Sequence, residues 1–188
     1  MSARWPKPLL IDADGTSTLL DATPAGQPPF SERELQRILA EHPELLPVTQ
    51  FDPLFGPPVC VGREISTGAG PLDLLYVSPS GYLTLVETKL WKSPEARRQV
   101  VAQIIDYTRQ IVRWDFSQLA AAFTQYARQA GITQQSLIGY VNDRSDDDFD
   151  EAAFTDGVGR SLRHGRLLLL IVGDGIREYE FFVVGFRP

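Results

Sequence analysis

Apolar positions along this chain recur with two different periods. In SERELQRILAEH (31–42), Leu35, Ile38, Leu39 and His42 fall at helical spacing, and the pattern stops before Pro43. Ser31 is placed to cap that helix, with Glu34 three residues on in a capping-box spacing. VCVGREIS (59–66), then PLDLLYV and YLTLVETK within 70–89, read as three successive strands separated by the turn sequences TGAG and PSG. Ser93-Pro94-Glu95 opens a long helix over roughly 94–113, with Val100, Ile104, Tyr107 and Ile111 on one face. A further helix fits 116–130 and ends at Gly131.

Beyond it, SLIGYVN (136–142) is predicted as a short strand, and RSDDDFDEAAFTD as an acidic, solvated loop leading into a short helix. LLLLIV (167–172) is a continuous apolar run, suited to a central strand covered on both faces. Upstream, PLLIDADGTSTLL (8–20) reads as a hairpin turning at Asp14-Gly15, followed by the Pro- and Gly-rich linker DATPAGQPPF. Five prolines make 43–58 irregular, and the tail IREYEFFVVGFRP fits strand or helix equally well. The predicted class is α/β: a mixed sheet containing a three-strand antiparallel meander, with a later strand reached through helices. The expected organisation is an N-terminal hairpin and linker over 1–30, packed on one domain spanning 31–188.

Three charges interrupt the strand pattern. Asp73 lies in one strand, and Glu87 and Lys89 share a face of the next. Whether Asp73 joins them depends on the loop. A two- or four-residue loop sets Asp73 opposite Val86, on the wrong face. A three-residue loop, Pro79-Ser80-Gly81, pairs Ser78 with Tyr82 and sets Asp73 opposite Glu87. Turn chemistry favours the second case, because Pro suits the first turn position and Gly the left-handed one. The two carboxylates then sit about 5 Å apart. At that distance they repel unless a proton or a cation lies between them, and Mg²⁺ or Mn²⁺ suits such oxygen ligands. Lys89 could stabilise developing negative charge beside them.

Composition narrows the setting. The chain has 188 residues and a net charge of −6, which argues against strong binding of nucleic acid over its whole surface. The exception is local: Lys89, Lys92, Arg97, Arg98, Arg109 and Arg113 are opposed only by Glu95 and Asp106. Arg160, Arg163, His164 and Arg166 form a second basic cluster. Trp91 and Trp114 are candidates for base stacking or for the core. The single cysteine, Cys60, excludes an intrachain disulfide and any multi-cysteine zinc site. No apolar run has the length of a membrane span, and the first residues do not resemble a signal peptide, so a cytoplasmic setting is expected.

Pro71-Leu72-Asp73 followed by Glu87-Thr88-Lys89 resembles the signature of the PD-(D/E)XK nuclease superfamily, whose core runs helix, three strands, helix, strand. SERELQRILAEHPELLP resembles the opening helix of its DNA-repair-type members. The resemblance covers about residues 31–113, with LLLLIV as the fourth core strand. It implies a restriction-endonuclease-like core and hydrolysis of DNA phosphodiester bonds with Mg²⁺ or Mn²⁺. Asp73, Glu87 and the Thr88 carbonyl would be metal ligands, and Lys89 the catalytic lysine. Glu34 is the preferred first-helix acid, with Glu41 its rival. Gln103 would join the catalytic group, and Tyr107, Lys92, Arg97 and Arg98 would face DNA. Many such nucleases pair up, so a homodimer is possible. A catalytically silent module of the same fold, binding DNA or protein, is the alternative.

Ile11-Asp12-Ala13-Asp14-Gly15-Thr16 resembles instead the first motif of haloacid-dehalogenase-type phosphatases, with Asp12 as nucleophile, and Gly173-Asp174-Gly175 their last motif. The late lysine of that family is absent, because no lysine follows Lys92. A calcium-loop reading of DADG lacks the bidentate Glu, and no nucleophile elbow supports a serine triad.

Overall fold

A computed structural model describes residues 9–11, 16–19, 31–90, 94–145, 148–174 and 182–185. Strands β1 (Leu9–Ile11) and β2 (Ser17–Leu19) pair antiparallel in a sheet of their own. The Asp14-Gly15 turn, the linker and their packing on the rest lie outside the described residues.

Helix α1 (Glu32–Glu41) starts where Ser31 accepts the Glu34 N–H at 3.1 Å. The capping box is only half made, because the Glu34 side chain turns to Arg37. His42 is not on the apolar face. It is exposed and contacts Glu44 at 3.1 Å. The Pro-rich segment is built of short turns around α2 (Val48–Phe51).

Strands β3 (Val59–Ser66), β4 (Pro71–Val77) and β5 (Leu83–Leu90) form the antiparallel meander that the sequence predicts. The chain then runs through α3 (Pro94–Ile111), α4 (Phe116–Ala130), α5 (Leu137–Asn142) and α6 (Glu151–Arg163). It returns as β6 (Arg166–Asp174), parallel to β5, and β7 (Phe182–Gly185) closes the order β3-β4-β5-β6-β7. The result is a mixed five-stranded sheet with helices on both faces. Among the described residues, no helix is long and apolar enough to cross a membrane.

Residues 136–142 form a helix, not a strand. Ser136 caps the Gly139 N–H, and Leu137, Tyr140 and Val141 bury one helical face. An apolar run this short carries either period, and the cap decides it. The acidic loop shrinks to a cap as well: Asp150 accepts from Ala152 and Ala153, and the helix continues for 13 residues.

Each sheet face has its own core. Leu39 of α1 packs with Leu74, Tyr76, Val86, Leu168 and Leu170, and the Tyr76 hydroxyl donates to the Leu39 carbonyl at 2.8 Å. The opposite face packs Leu75, Val77, Leu83, Leu85, Leu167 and Leu169 against α3, α4 and α6. β6 is thus covered on both faces, as a continuous apolar run requires.

The β4–β5 loop is held by α6. A Cβ on Gly157 would lie 2.0 Å from the Ser80 carbonyl oxygen, and one on Gly81 would lie 2.4 Å from the Val158 nitrogen. Gly157→Ala is therefore expected to cost about 2–3 kcal/mol by forcing helix and loop apart. That lowers the melting temperature by on the order of 5–10 °C. A variant melting like wild type would contradict this packing.

Candidate active site

The hairpin loop holds three residues. Ser78 N–H donates to the Tyr82 carbonyl at 2.9 Å, Gly81 N–H donates to the Ser78 carbonyl at 2.8 Å, and Gly81 has φ +80°. Pairing runs from Val77–Leu83 to Leu74–Val86, so the next position sets Asp73 opposite Glu87. There the ladder stops. The Asp73 carboxylate itself crosses to β5 and accepts the Thr88 backbone N–H at 2.7 Å and the Thr88 hydroxyl at 2.6 Å. Asp73 thus replaces a backbone carbonyl, and its side chain is fixed on the β5 side.

Glu87 is 4% exposed, and its Oε2 has no hydrogen-bond partner. Burial, and next the Asp73 charge, push its carboxyl up to about 8, against the smaller opposing effects of Lys89 and the Asp73 backbone N–H. A buried carboxylate oxygen without a partner is costly.

Lys89 does not point into an empty cleft. Its Nζ pairs with Glu32 Oε1 at 3.1 Å, and the same oxygen accepts the Leu90 N–H at 3.0 Å. The first residue of α1 is therefore docked on the end of β5. The α1 acid beside Lys89 is thus Glu32, while the expected candidates Glu34 and Glu41 lie elsewhere on the helix. Glu34 and Glu41 both pair with Arg37 on the exposed side of α1, and that guanidinium holds the Glu34 carboxyl below its usual range. Glu32 also adds to the field that raises Glu87. A helix turns about 100° per residue, so the face that carries Glu32 cannot carry Glu34. What pointed to Glu34 was the resemblance of SERELQRILAEHPELLP to the opening helix of DNA-repair-type nucleases, which does not say which acid of the helix meets β5. Glu32→Ala should cost about 1–2 kcal/mol in urea denaturation, because it strips the Leu90 N–H of its acceptor. Glu34→Ala should leave the urea midpoint close to wild type, because its partner Arg37 is exposed. Equal effects would contradict this docking.

From α3, Gln103 donates to the Tyr107 hydroxyl at 2.5 Å. Tyr107 is buried, and its phenol is pushed up by burial and by the Glu87 and Asp73 charges, with the Gln103 bond opposing. Gln103 and Tyr107 thus stand as a hydrogen-bonded pair on the carboxylate side of α3.

The remaining basic residues divide. Lys92 and Trp91 lie outside the described residues, and so do the side chains of Arg97 and Arg98, whose backbone is in α3. Trp114 packs on the core. Arg160, Arg163, His164 and Arg166 sit where α6 ends and β6 begins, at the hairpin-loop end of the sheet, away from Glu87. Arg166 there pairs with Asp52 at 2.5 Å. Asp12 and Gly175 lie outside the described residues. β1, which leads to Asp12, belongs to the separate two-stranded sheet and is not next to β6, which ends at Asp174.

Among the described residues, no three His, Cys, Asp or Glu side chains stand together as a metal cluster. Asp73 and Glu87 form a two-carboxylate pair. Such a pair fits Mg²⁺, which keeps several waters and binds through one or two carboxylates. The partnerless Glu87 Oε2 is the observation that favours a cation there.

The chain matches no protein-family model, no curated protein and no solved structure.

Proposed function

We propose that this chain is a metal-dependent nuclease of the PD-(D/E)XK type, hydrolysing DNA phosphodiester bonds. The observation that carries the reading is the buried Glu87 carboxylate, partnerless at Oε2 and beside Asp73, in strands otherwise apolar. A divalent cation on Asp73, Glu87 and the Thr88 carbonyl would neutralise that pair and lower the pKa of a bound water. Thr88 holds the Asp73 carboxylate in place, and burial keeps bulk water from Glu87. Lys89, partly exposed at the rim, is positioned to exchange Glu32 for a phosphate oxygen. In the reaction the attacking water gives up a proton to solvent as its oxygen bonds to phosphorus, the ester P–O bond breaks, and the leaving oxygen takes a proton from a second water. Tyr107, expected to face DNA, is instead buried, and with Gln103 it forms the α3 wall beside the carboxylate pair.

The test is cleavage of plasmid and oligonucleotide DNA with Mg²⁺ or Mn²⁺ against EDTA. Metal-dependent cleavage that requires Asp73 supports the proposal, and no cleavage with either metal refutes it. One observation favours a second reading, a binding module that does not cut: Lys89 is already paired with Glu32. Calorimetric titration with Mn²⁺ separates the two, because the module needs no site that depends on Asp73 and Glu87.

A further inference from the structure

β3 is an edge strand of the sheet, flanked by α1 on one face and α4 on the other. Along its open edge lies a cavity of about 690 Å³, lined by Arg37, Cys60, Arg63, Tyr126 and Arg144 among others. A second depression, of about 420 Å³, adjoins it through Arg63 and Tyr126 and adds Arg33 and Glu64. The two make one slot. Its far end lies one strand away from Asp73, because Glu64 falls between the pairs Arg63–Leu74 and Ile65–Leu72 and so stands opposite Asp73 in the register. Neighbouring strands are about 4.8 Å apart. Glu64 has φ +53°, a left-handed conformation uncommon for a residue with a side chain. It follows a register shift between Cys60 and Gly62. The bulged, twisted edge is a poor template for an added β-strand.

The slot is lined by Arg33, Arg37, Arg63 and Arg144 against Glu41 and Glu64, a net positive lining in a chain of net charge −6. Arg37 is taken by Glu34 and Glu41 and adds no free charge. Among the described residues, the Arg33 and Arg63 side chains make no ion pair or hydrogen bond, though Arg63, after Arg37, is near enough to lower the Glu34 carboxyl slightly. Arg144 Cζ lies over the Tyr140 ring, 3.6 Å from its centre, and its Nη1 donates to the Tyr140 carbonyl at 3.2 Å. The guanidinium lines the slot and keeps further N–H donors beyond that bond. Arginine planes and a half-buried tyrosine beside them suit bases as well as phosphates. An acidic peptide would use the charge but not the planes. The slot follows one strand edge between α1 and α4, and stacking a base on an arginine or tyrosine face needs an unpaired base, which a duplex does not offer.

We infer that this edge is a track for single-stranded DNA, with phosphates on Arg33 and Arg63 and a base against Arg144 and Tyr126. The strand would be delivered to Asp73 and Glu87. The inference rests on the nuclease reading and narrows it to a single-stranded end, flap or gap.

The experiment is fluorescence polarisation on the full chain in EDTA, with a labelled 15-nucleotide thymidine strand and a blunt duplex of equal length. The single strand should bind more tightly than the duplex. Arg63→Ala with Arg144→Ala should weaken it by about 10- to 100-fold and reduce the salt slope by roughly 1–2. Arg33→Ala, on the exposed surface of α1, should weaken it several-fold even if the double variant folds poorly. Arg160→Ala with Arg163→Ala, at the other end of the sheet, should leave it unchanged. Unchanged binding in the Arg33 and Arg63/Arg144 variants overturns the track. So does equal competition by duplex, or by polyglutamate at equal charge. Strand binding that depends on these arginines, without cleavage under Mn²⁺, would sink the nuclease reading while leaving the track standing.

Discussion

Asp73→Asn is expected to lower metal-dependent DNA cleavage by at least about 10³-fold, and Lys89→Ala by about 10²–10³-fold, without unfolding the protein. Asp73 makes two contacts that Asn can keep. The Thr88 N–H and hydroxyl donate to one carboxylate oxygen, at 2.7 and 2.6 Å, and an amide oxygen accepts both. What Asn removes is the charge. The variant should therefore melt within a few degrees of wild type and fail to cut. Lys89 is about one-third exposed, so its loss costs little stability beyond an ion pair with Glu32. Its effect should appear in kcat more than in KM, since a phosphate gains charge on the way to the transition state. Wild-type rates in a folded Asp73→Asn protein would remove the basis for calling this pair catalytic.

The meeting of Asp73 and Glu87 was legible in the sequence because one short loop decides it. Pro79 and Gly81 each have one strong conformational preference, and a hairpin register follows from loop length alone. Periodicity likewise places β3, β4, β5 and α4, where seven or more residues repeat a pattern. The first-helix acid was not legible. Glu32, Glu34 and Glu41 look alike in the sequence, and which of them meets β5 depends on how α1 lies across the sheet. That angle is fixed by Leu39 under the sheet and by the Tyr76 hydroxyl on the Leu39 carbonyl, a contact between residues 37 positions apart. The arginine slot was hidden for the same reason. Arg33, Arg63 and Arg144 are scattered along the chain, and a count of charges in sequence windows favours 89–113 and 160–166. Only the order of strands, with β3 at the edge, brings them together.

Metal-free protein is expected to lose stability as pH rises from about 4.5 to about 8, and Glu87→Gln to abolish that loss. The sign follows from proton binding. Glu87 is raised in the folded state from 4.5 to about 8. Between those values the folded chain holds a proton that the unfolded chain has released, so higher pH favours unfolding. The slope is about 1.4 kcal/mol per pH unit, which accumulates to on the order of 4–5 kcal/mol by pH 8 and then levels off. At pH 9 the Gln variant should therefore melt well above metal-free wild type, by on the order of 10 °C, while being unable to cut. A protein made more stable by losing its activity is what an unpaired buried charge predicts. Divalent cation should act in the opposite sense on wild type. It competes with the proton for Glu87, so Mn²⁺ should raise the melting temperature more at pH 8.5 than at pH 6, and have little effect on Glu87→Gln. Thermal scans from pH 5 to 9, with EDTA or Mn²⁺, read all of these. Parallel pH profiles for wild type and Glu87→Gln would show that Glu87 is not the buried acid the structure makes it.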